Sequence, residues 1–240
     1  MNYLLFIGGG LGEVGLEERA AALDQLDTWV SETERSGVRI LGRPLELPDT
    51  STTVRVRDGE TLLSDGPFAE AKEWIGGFDL IEAADLDEAL AVTARHPIAR
   101  YSKIELRPLH DGLQVTDAVR EWGARQPPDS WVLFFCLDGI PKADVVEARV
   151  AREAEQWGAR QRERGTLIFG HALRHVDTAT TVRVRDGETL LTDGPFVESK
   201  EFIGGLAVLC GVTREEAIAI ASEHPVAAFH RVEVRRFMEG

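Results

Sequence analysis

Apolar positions along the chain follow two rhythms, and the same succession of rhythms runs through the chain twice. Tyr3 to Ile7 is a short apolar run closed by Gly8, Gly9 and Gly10, which predicts a buried strand. Over residues 16–37, Leu23, Leu26 and Val30 recur at helical spacing, Glu17 and Glu18 suit a first turn, and Gly37 suits a C-cap; the segment predicts a helix. A second strand follows over 38–42. Residues 52–57 (Thr-Thr-Val-Arg-Val-Arg) and 60–64 flank Asp58-Gly59, a dipeptide that supplies the positive φ angles of a tight hairpin. Residues 75–83 predict a strand, in which Gly76-Gly77 marks a bulge or a close backbone approach. Asp85 opens a second helix that His96-Pro97 ends, and 100–107 is the last strand. The order β-α-β-hairpin-β-α-β is the split pattern of a ferredoxin-like α+β fold, with helices over one face of an antiparallel sheet.

The repetition is close to literal. Residues 52–77 read TTVRVRDGETLLSDGPFAEAKEWIGG and residues 180–205 read TTVRVRDGETLLTDGPFVESKEFIGG, with four differences in 26 positions. The same offset of 128 aligns Trp29 with Trp157, Gly37 with Gly165, His96-Pro97 with His224-Pro225 and Glu105 with Glu233. So long a period indicates duplicated domains rather than a solenoid of small units. We read residues 1–110 as the first copy, 111–128 as a linker and 129–240 as the second copy. The Pro127-Pro128 pair marks the boundary, and residues 117–125 are expected to form a short helix.

Charge and composition narrow the function. The chain of 240 residues is 43% hydrophobic and carries a formal net charge of −14. Each half can therefore bury a core, while the surface should repel nucleic acids and anionic membranes. No apolar run approaches the ~20 residues of a membrane span, and the N-terminus reads as a strand rather than a signal peptide. With two cysteines, Cys136 and Cys210, outside any Cys/His cluster, neither a disulfide framework nor a zinc site is expected, and a reducing cytoplasm is the default. The two cysteines are expected on strands of one copy, as neighbours and without a redox role.

On the face away from the helices the alternation should place Arg55, Arg57, Glu105 and Arg107, and in the second copy Arg183, Arg185, Glu233 and Arg235. Two such sheets facing one another would enclose a chamber lined by charge. One tandem chain can supply both sheets with an internal pseudo-two-fold, and further self-association stays open.

The tetrapeptides Asp65-Gly66-Pro67-Phe68 and Asp193-Gly194-Pro195-Phe196, each followed by Glu-x-Lys-Glu and Gly-Gly, resemble the DGPF branch of the YCII-related domain family over nearly the whole chain, twice. The resemblance implies ferredoxin-like domains that pair into a dimeric α+β barrel with a site between the sheets. It implies a binder of a small metabolite, with lyase or isomerase chemistry among wider relatives and a His–Asp dyad in one branch. It also implies an alternative, a non-catalytic sensor or accessory module for a transcriptional regulator such as an extracytoplasmic-function sigma factor; a purely structural assembly domain is a third reading. Neither long first helix (16–37 or 144–165) contains a histidine, so only the aspartates of the dyad, Asp65 and Asp193, carry over.

Each candidate has a structural counterpart. Asp65 and Asp193 would act as general acid or base, or cap the turn that Gly-Pro opens. The arginines, with Glu105, Glu233, Arg107 and Arg235, would bind an anionic ligand, or form cross-strand salt bridges, for example with Glu60 or Glu105. Glu70, Lys72, Glu73 and their counterparts Glu198, Lys200 and Glu201 would present charges to a ligand, or pin the loop through exposed pairs worth roughly 0–1 kcal/mol. His96 and His224 are read as donors at a helix C-terminus. His171 and His175 lie on strand and loop, which argues against a metal there. The stretch 10–15 matches GxGxxG, but the second copy lacks the pattern and Glu13 would oppose a pyrophosphate, so no dinucleotide cofactor is expected.

Overall fold

The computed structural model describes residues 1–9, 15–68, 74–125, 127–138, 144–196 and 201–239. The first repeat comprises strand β1 (Asn2–Gly8), helix α1 (Leu16–Arg35), β2 (Arg39–Pro44), the hairpin β3 (Thr52–Arg57) and β4 (Glu60–Asp65), β5 (Ile75–Glu82), α2 (Leu86–Arg95) and β6 (Ile104–Pro108). Helix α3 (Asp117–Arg125) connects it to β7 (Ser130–Leu137), α4 (Asp144–Glu163), β8 (Leu167–Ala172), the hairpin β9 (Thr180–Arg185) and β10 (Glu188–Asp193), β11 (Phe202–Cys210), α5 (Arg214–Ser222), the short α6 (Pro225–Phe229) and β12 (Arg231–Arg236). The expected element order holds in both copies. The largest boundary shift is at the last strand, which was expected from residue 100 and starts at Ile104; a 3-10 turn, Pro97–Arg100, precedes it, because Pro97 fixes φ and suits a first-turn position.

Local chemistry accounts for the joints. Asp58 (φ 51) and Gly59 (φ 81) make the hairpin turn, repeated at Asp186 (φ 52) and Gly187 (φ 81), the two positive φ values of a type I′ turn. Asp85 caps α2 by accepting from the Glu88 amide, and Thr213 with Glu216 forms a capping box on α5, each satisfying otherwise orphaned N–H groups. The glycine pairs do what was expected. Pairing with β1 slips between Ile7 and Gly8 opposite Gly76, and pairing with β7 slips between Ile203 and Gly205. A Cβ on Gly77 would lie 2.9 Å from the Arg43 carbonyl oxygen, so the bulge also needs a residue without a side chain.

The two antiparallel six-stranded sheets do not follow the repeat boundary. Their strand orders are β10-β9-β6-β1-β5-β2 and β4-β3-β12-β7-β11-β8. Each hairpin is therefore built into the sheet whose other strands come from the other repeat. Strand β3 pairs with β12 (Val232↔Val54, Glu233↔Thr53), and β9 pairs with β6 (Ile104↔Val182, Glu105↔Thr181). The chain accordingly divides into two compact units. An isolated two-stranded hairpin is marginal in water, and docking on β12 or β6 buries its inner apolar residues, Val54 or Val182, completely. The outer strands β4 and β10 stay exposed along their length.

In the first unit, Tyr3, Leu5, Ile81, Ile104 and Leu106 of the sheet pack with Trp29 of α1 and Ala89 and Val92 of α2. In the second, Leu133, Phe135, Leu209, Val232 and Val54 pack with Trp157 of α4 and Ala217 and Ile220 of α5. The opposite face is not simply charged, as alternation suggested. Leu4, Phe6, Phe78 and Leu80 are buried there beside Glu105 and Arg107, and Val132, Phe134, Leu206 and Val208 beside Glu233 and Arg235. Helix α3 is anchored in the first unit. Its buried Trp122 takes the Arg43 guanidinium over its ring at 5.6 Å, and Gly123 lies too close to Leu41 for a Cβ, which would come within 2.9 Å.

Cys136 and Cys210 correct an expectation. They share the β7–β11 pair but at opposite ends, Cys136 facing Ile203 and Cys210 facing Ser130, about 20 Å apart along the strands. Burial, with Glu233 nearby, pushes the Cys136 thiol well up, so it is unreactive at neutral pH.

Candidate functional site

The two Asp-Gly-Pro-Phe loops are held in the same way. Gly66 adopts φ 92, its amide donates to the Ser51 carbonyl at 3.0 Å, and its own carbonyl accepts from the Thr53 hydroxyl at 2.9 Å. Gly194 (φ 94) repeats this with Ala179 and Thr181. Beyond each glycine the phenylalanine amide reaches a buried glutamate: Phe68 N–H donates to Glu233 at 3.1 Å, and Phe196 N–H to Glu105. Each glutamate also pairs with an arginine of its own strand, Glu233 with Arg235 and Glu105 with Arg107. Those arginines lie over Phe134 and Phe6 at 5.8 and 5.6 Å. Burial drives Glu105 above the ordinary carboxylate range while Arg107 and the Phe196 amide pull it down. Expected to face a ligand, these four residues instead pair glutamate with arginine, and the glutamates also receive the loop amides; Arg107 Nε is left without an acceptor among the described residues.

Asp65 and Asp193 end β4 and β10, exposed to solvent. The segments that a capping carboxylate would serve, 69–73 and 197–200, lie outside the described residues, as do Glu70, Lys72, Glu73, Glu198, Lys200 and residues 10–14 of the GxGxxG stretch. In the hairpin register Asp65 faces Thr52 and Arg55 faces Leu62, so Asp65 and Arg55 stand three residues, roughly 10 Å, apart along the strand.

The four hairpin arginines divide into two kinds. Arg57 donates to the carbonyls of Ala228 at 2.7 Å and Phe229 at 3.2 Å, and Arg185 donates to that of Arg100 at 2.6 Å. Both tie the hairpin to the last turn of a helix, where backbone carbonyls lack partners. Arg55 and Arg183 differ: each is half-buried, and its buried Nε finds no acceptor among the described residues. Burial, then the charges of Arg57 and Arg231, lower Arg55 from the ordinary arginine value, with Asp138 and Glu201 opposing. Arg231 donates to the Phe68 carbonyl at 2.9 Å and to Glu201 at 2.6 Å. Beside it, His230 Nδ1 lies 2.5 Å from Asp138 Oδ1. Arg55, Arg57, Arg231, His230, Asp138 and Glu201 thus form a mixed-charge group in the second unit, beside the Phe68 loop. The sequence reading did not include Asp138, His230 or Arg231 in it, and weighed Glu201 only as one of the charges of its loop.

The repeated histidines are not C-terminal donors. His96 Nδ1 accepts from the Ile98 amide at 3.2 Å and His224 Nδ1 from the Val226 amide at 3.3 Å; each opens the turn that its following proline starts. Their surroundings then diverge. His96 Nε2, which must carry the proton, lies 3.4 Å from Asp79 Oδ2. Asp79 Oδ1 accepts from Arg39 Nε at 2.6 Å, and Arg39 also donates to the Gly42 carbonyl and to Glu34. Burial alone would raise Asp79, but Arg39 and His96 hold it below the ordinary aspartate range. Position 42 has room only for glycine, since a Cβ there would fall 1.7 Å from Asp79 Oδ1. In the second repeat the positions of Arg39 and Asp79 hold Leu167 and Ala207, and His224 instead stacks on Phe135 at 3.9 Å.

Burial lowers His224 from 6.5 to about 3, so the folded protein keeps it neutral. Below the unfolded value the unfolded chain takes up a proton that the folded chain refuses. Stability from this group is complete above pH 6.5 and falls as pH drops toward 3. Acidification from pH 7 to 5 should cost about 2 kcal/mol through His224. Urea unfolding at both pH values is expected to show this loss in the wild type and a clearly smaller one in H224Q; equal losses would assign the acid sensitivity elsewhere.

His171 lies on β8, and His175 caps the next turn by accepting from the Asp177 amide. Among the described residues no three His, Cys, Asp or Glu side chains gather to hold a metal, and no helix is long and apolar enough to cross a membrane.

Comparison with known proteins adds three findings. An uncharacterized protein of Rhizobium meliloti (strain 1021) is 56% identical over 45 residues, 18% of this chain and 36% of that protein's length. The crystal structure of a protein provisionally assigned as a chlorite dismutase aligns over 99% of this chain and 94% of its own, at 8% identity and a TM-score of 0.45. The YCII-related domain matches twice, over residues 1–111 and 133–239. With the same loop, hairpin and buried Glu–Arg pair built in each half, the chain is a tandem member of the YCII-related domain family.

Proposed function

We propose that the protein binds a small anionic metabolite at Arg55, in the second unit, as the step that precedes any lyase- or isomerase-type chemistry. The observation that carries this is the buried, unpartnered Nε of Arg55 next to Arg57 and Arg231. A desolvated guanidinium donor without an acceptor is costly, and a carboxylate or phosphate oxygen satisfies it with a charge-assisted bond. On a chain of net charge −14 such an anion is repelled by the surface at large and held only where cations are concentrated locally. Arg183 presents the same unpartnered Nε in the first unit. Asp65 and Asp193, exposed at the mouths of the two loops, remain proposed acid–base groups for a molecule large enough to span from the arginine to the strand end.

Thermal denaturation with inorganic phosphate, oxalate, pyruvate and citrate tests the binding. An anion present at a hundredfold excess over its Kd should stabilise the protein by about 2.7 kcal/mol, a rise of roughly 5–10 °C in Tm for a chain of this size. The rise should vanish in R55M, whose Tm without anion should match the wild type. No rise with any of the four anions, or an equal rise in R55M, would remove the reading.

A further inference from the structure

We infer that Asp138 and His230 form an acid–base pair serving the Arg55 site, and that the second unit alone carries it. The inference rests on the anion-binding reading for its substrate, though not for its geometry. Two contacts meet at His230 Nδ1: Asp138 Oδ1 at 2.5 Å and the Asp138 amide nitrogen at 3.4 Å. One nitrogen cannot donate to the first and accept from the second. The short, charge-assisted contact prevails over the long one, so Nδ1 carries the proton and Nε2 carries the lone pair. A carboxylate fixing Nδ1–H is the arrangement that orients an imidazole as a general base and stabilises the imidazolium formed. His230 is largely covered while Asp138 is half open, so the imidazole is held in place and the carboxylate is not itself a buried charge in need of a partner.

The pair adjoins the cation group. Val232 pairs with Val54, so Arg231 and His230 lead into β12 where Arg55 follows Val54 on β3; Asp138, Arg231 and Glu201, which Arg231 binds, all lie close enough to act on the Arg55 charge. A small carboxylate held by Arg55 would bring its neighbouring carbon or hydroxyl acid to this region. In the step assigned here His230 Nε2 takes that proton. The C–H or O–H bond breaks, an N–H bond forms, and the electron pair stays on the bound molecule as negative charge facing the arginines. The imidazolium, paired with Asp138, returns the proton at another atom, which is an isomerisation, or to a leaving group, which is an elimination. No oxidant or metal enters the balance.

The duplication supplies an internal control. At the offset of 128, His230 corresponds to Ser102, Arg231 to Lys103 and Asp138 to Gly10. Arg183 and the Phe196 loop repeat their counterparts, but the imidazole and its carboxylate do not. One chain would therefore hold two anion sites and one acid–base pair.

Long-range 1H–15N correlation on 15N-histidine protein at pH 8, with and without inorganic phosphate, tests the assignment. His230 should be in the Nδ1–H tautomer in the wild type and shift toward Nε2–H in D138A, and its Nε2 should react with diethyl pyrocarbonate several-fold faster in the wild type than in D138A. Phosphate should move the His230 resonances and slow that reaction in the wild type but not in R55M. An Nε2–H tautomer in the wild type overturns the pair. Phosphate that raises Tm without touching His230 overturns its service to the site while sparing the anion reading. Phosphate that neither raises Tm nor shifts any resonance sinks the shared site, while the tautomer and its D138A shift still decide whether the pair exists.

Discussion

Replacing Asp79 with alanine is expected to lower the unfolding free energy by about 3–5 kcal/mol, the penalty for breaking a buried ion pair and leaving its partner behind. Arg39 is 7% exposed and His96 1%, so neither can turn to water when the carboxylate goes. Alanine also leaves a void between β5 and Gly42, whose missing Cβ now makes room for Asp79 Oδ1. The protein contains its own alternative design, because the second repeat fills the same two positions with Leu167 and Ala207. The double variant R39L/D79A copies that arrangement and should recover more than half of the loss, since replacing both members of a buried pair by packed apolar groups is often neutral or stabilising. Equilibrium urea unfolding followed by circular dichroism provides the comparison. A D79A loss under 1 kcal/mol, or an R39L/D79A protein weaker than D79A, would show that the Arg39–Asp79–His96 network contributes little to the fold.

That network also shows where sequence reading stops. The element order was legible because each element depends on near neighbours: Asp58-Gly59 makes its turn wherever it is placed, and Asp85 caps the helix that starts beside it. The exchange of hairpins was not legible. The apolar–cationic alternation of Val54-Arg55-Val56-Arg57 is identical in residues 182–185, so either hairpin satisfies either sheet edge, and the choice between β6 and β12 lies in long-range pairing. The site was legible only in part, and for a related reason. Attention to what repeats finds Arg55, Glu233 and the Phe68 loop, because both copies carry them. It passes over what does not repeat. Asp79 against Ala207, His230 against Ser102 and Asp138 against Gly10 are polar residues present in one copy only, and subtracting the copies position by position is the signal that would have picked them out. Arg57 and Arg185 show the converse: they repeat perfectly, yet their donors serve helix-end carbonyls.

Glu233 should behave as the keystone between the fold and the site. It is fully buried, it neutralises Arg235, and its second oxygen receives the Phe68 amide. E233A removes the carboxylate that Arg235, at 3% exposure, is bonded to and should cost about 3–5 kcal/mol. E233Q keeps an acceptor for Phe68 but turns an amide NH2 toward the Arg235 donors, so it should retain the loop anchor while losing the ion pair. The functional consequence runs through the loop. Phe68 offers its carbonyl to Arg231, which lies beside His230 and acts on Arg55, so freeing the Phe68 amide should also loosen one of the cations of the proposed anion site. The equivalent change in the first unit, E105A, breaks the Arg107 pair and the Phe196 anchor at similar cost but leaves the Phe68 loop intact. E233A and E105A are therefore expected to lose comparable stability, and phosphate is expected to perturb His230 normally in E105A and weakly in E233A. If the two variants respond to phosphate alike while both are folded, the glutamate is a packing device and the Phe68 loop has no hold on the Arg55 site.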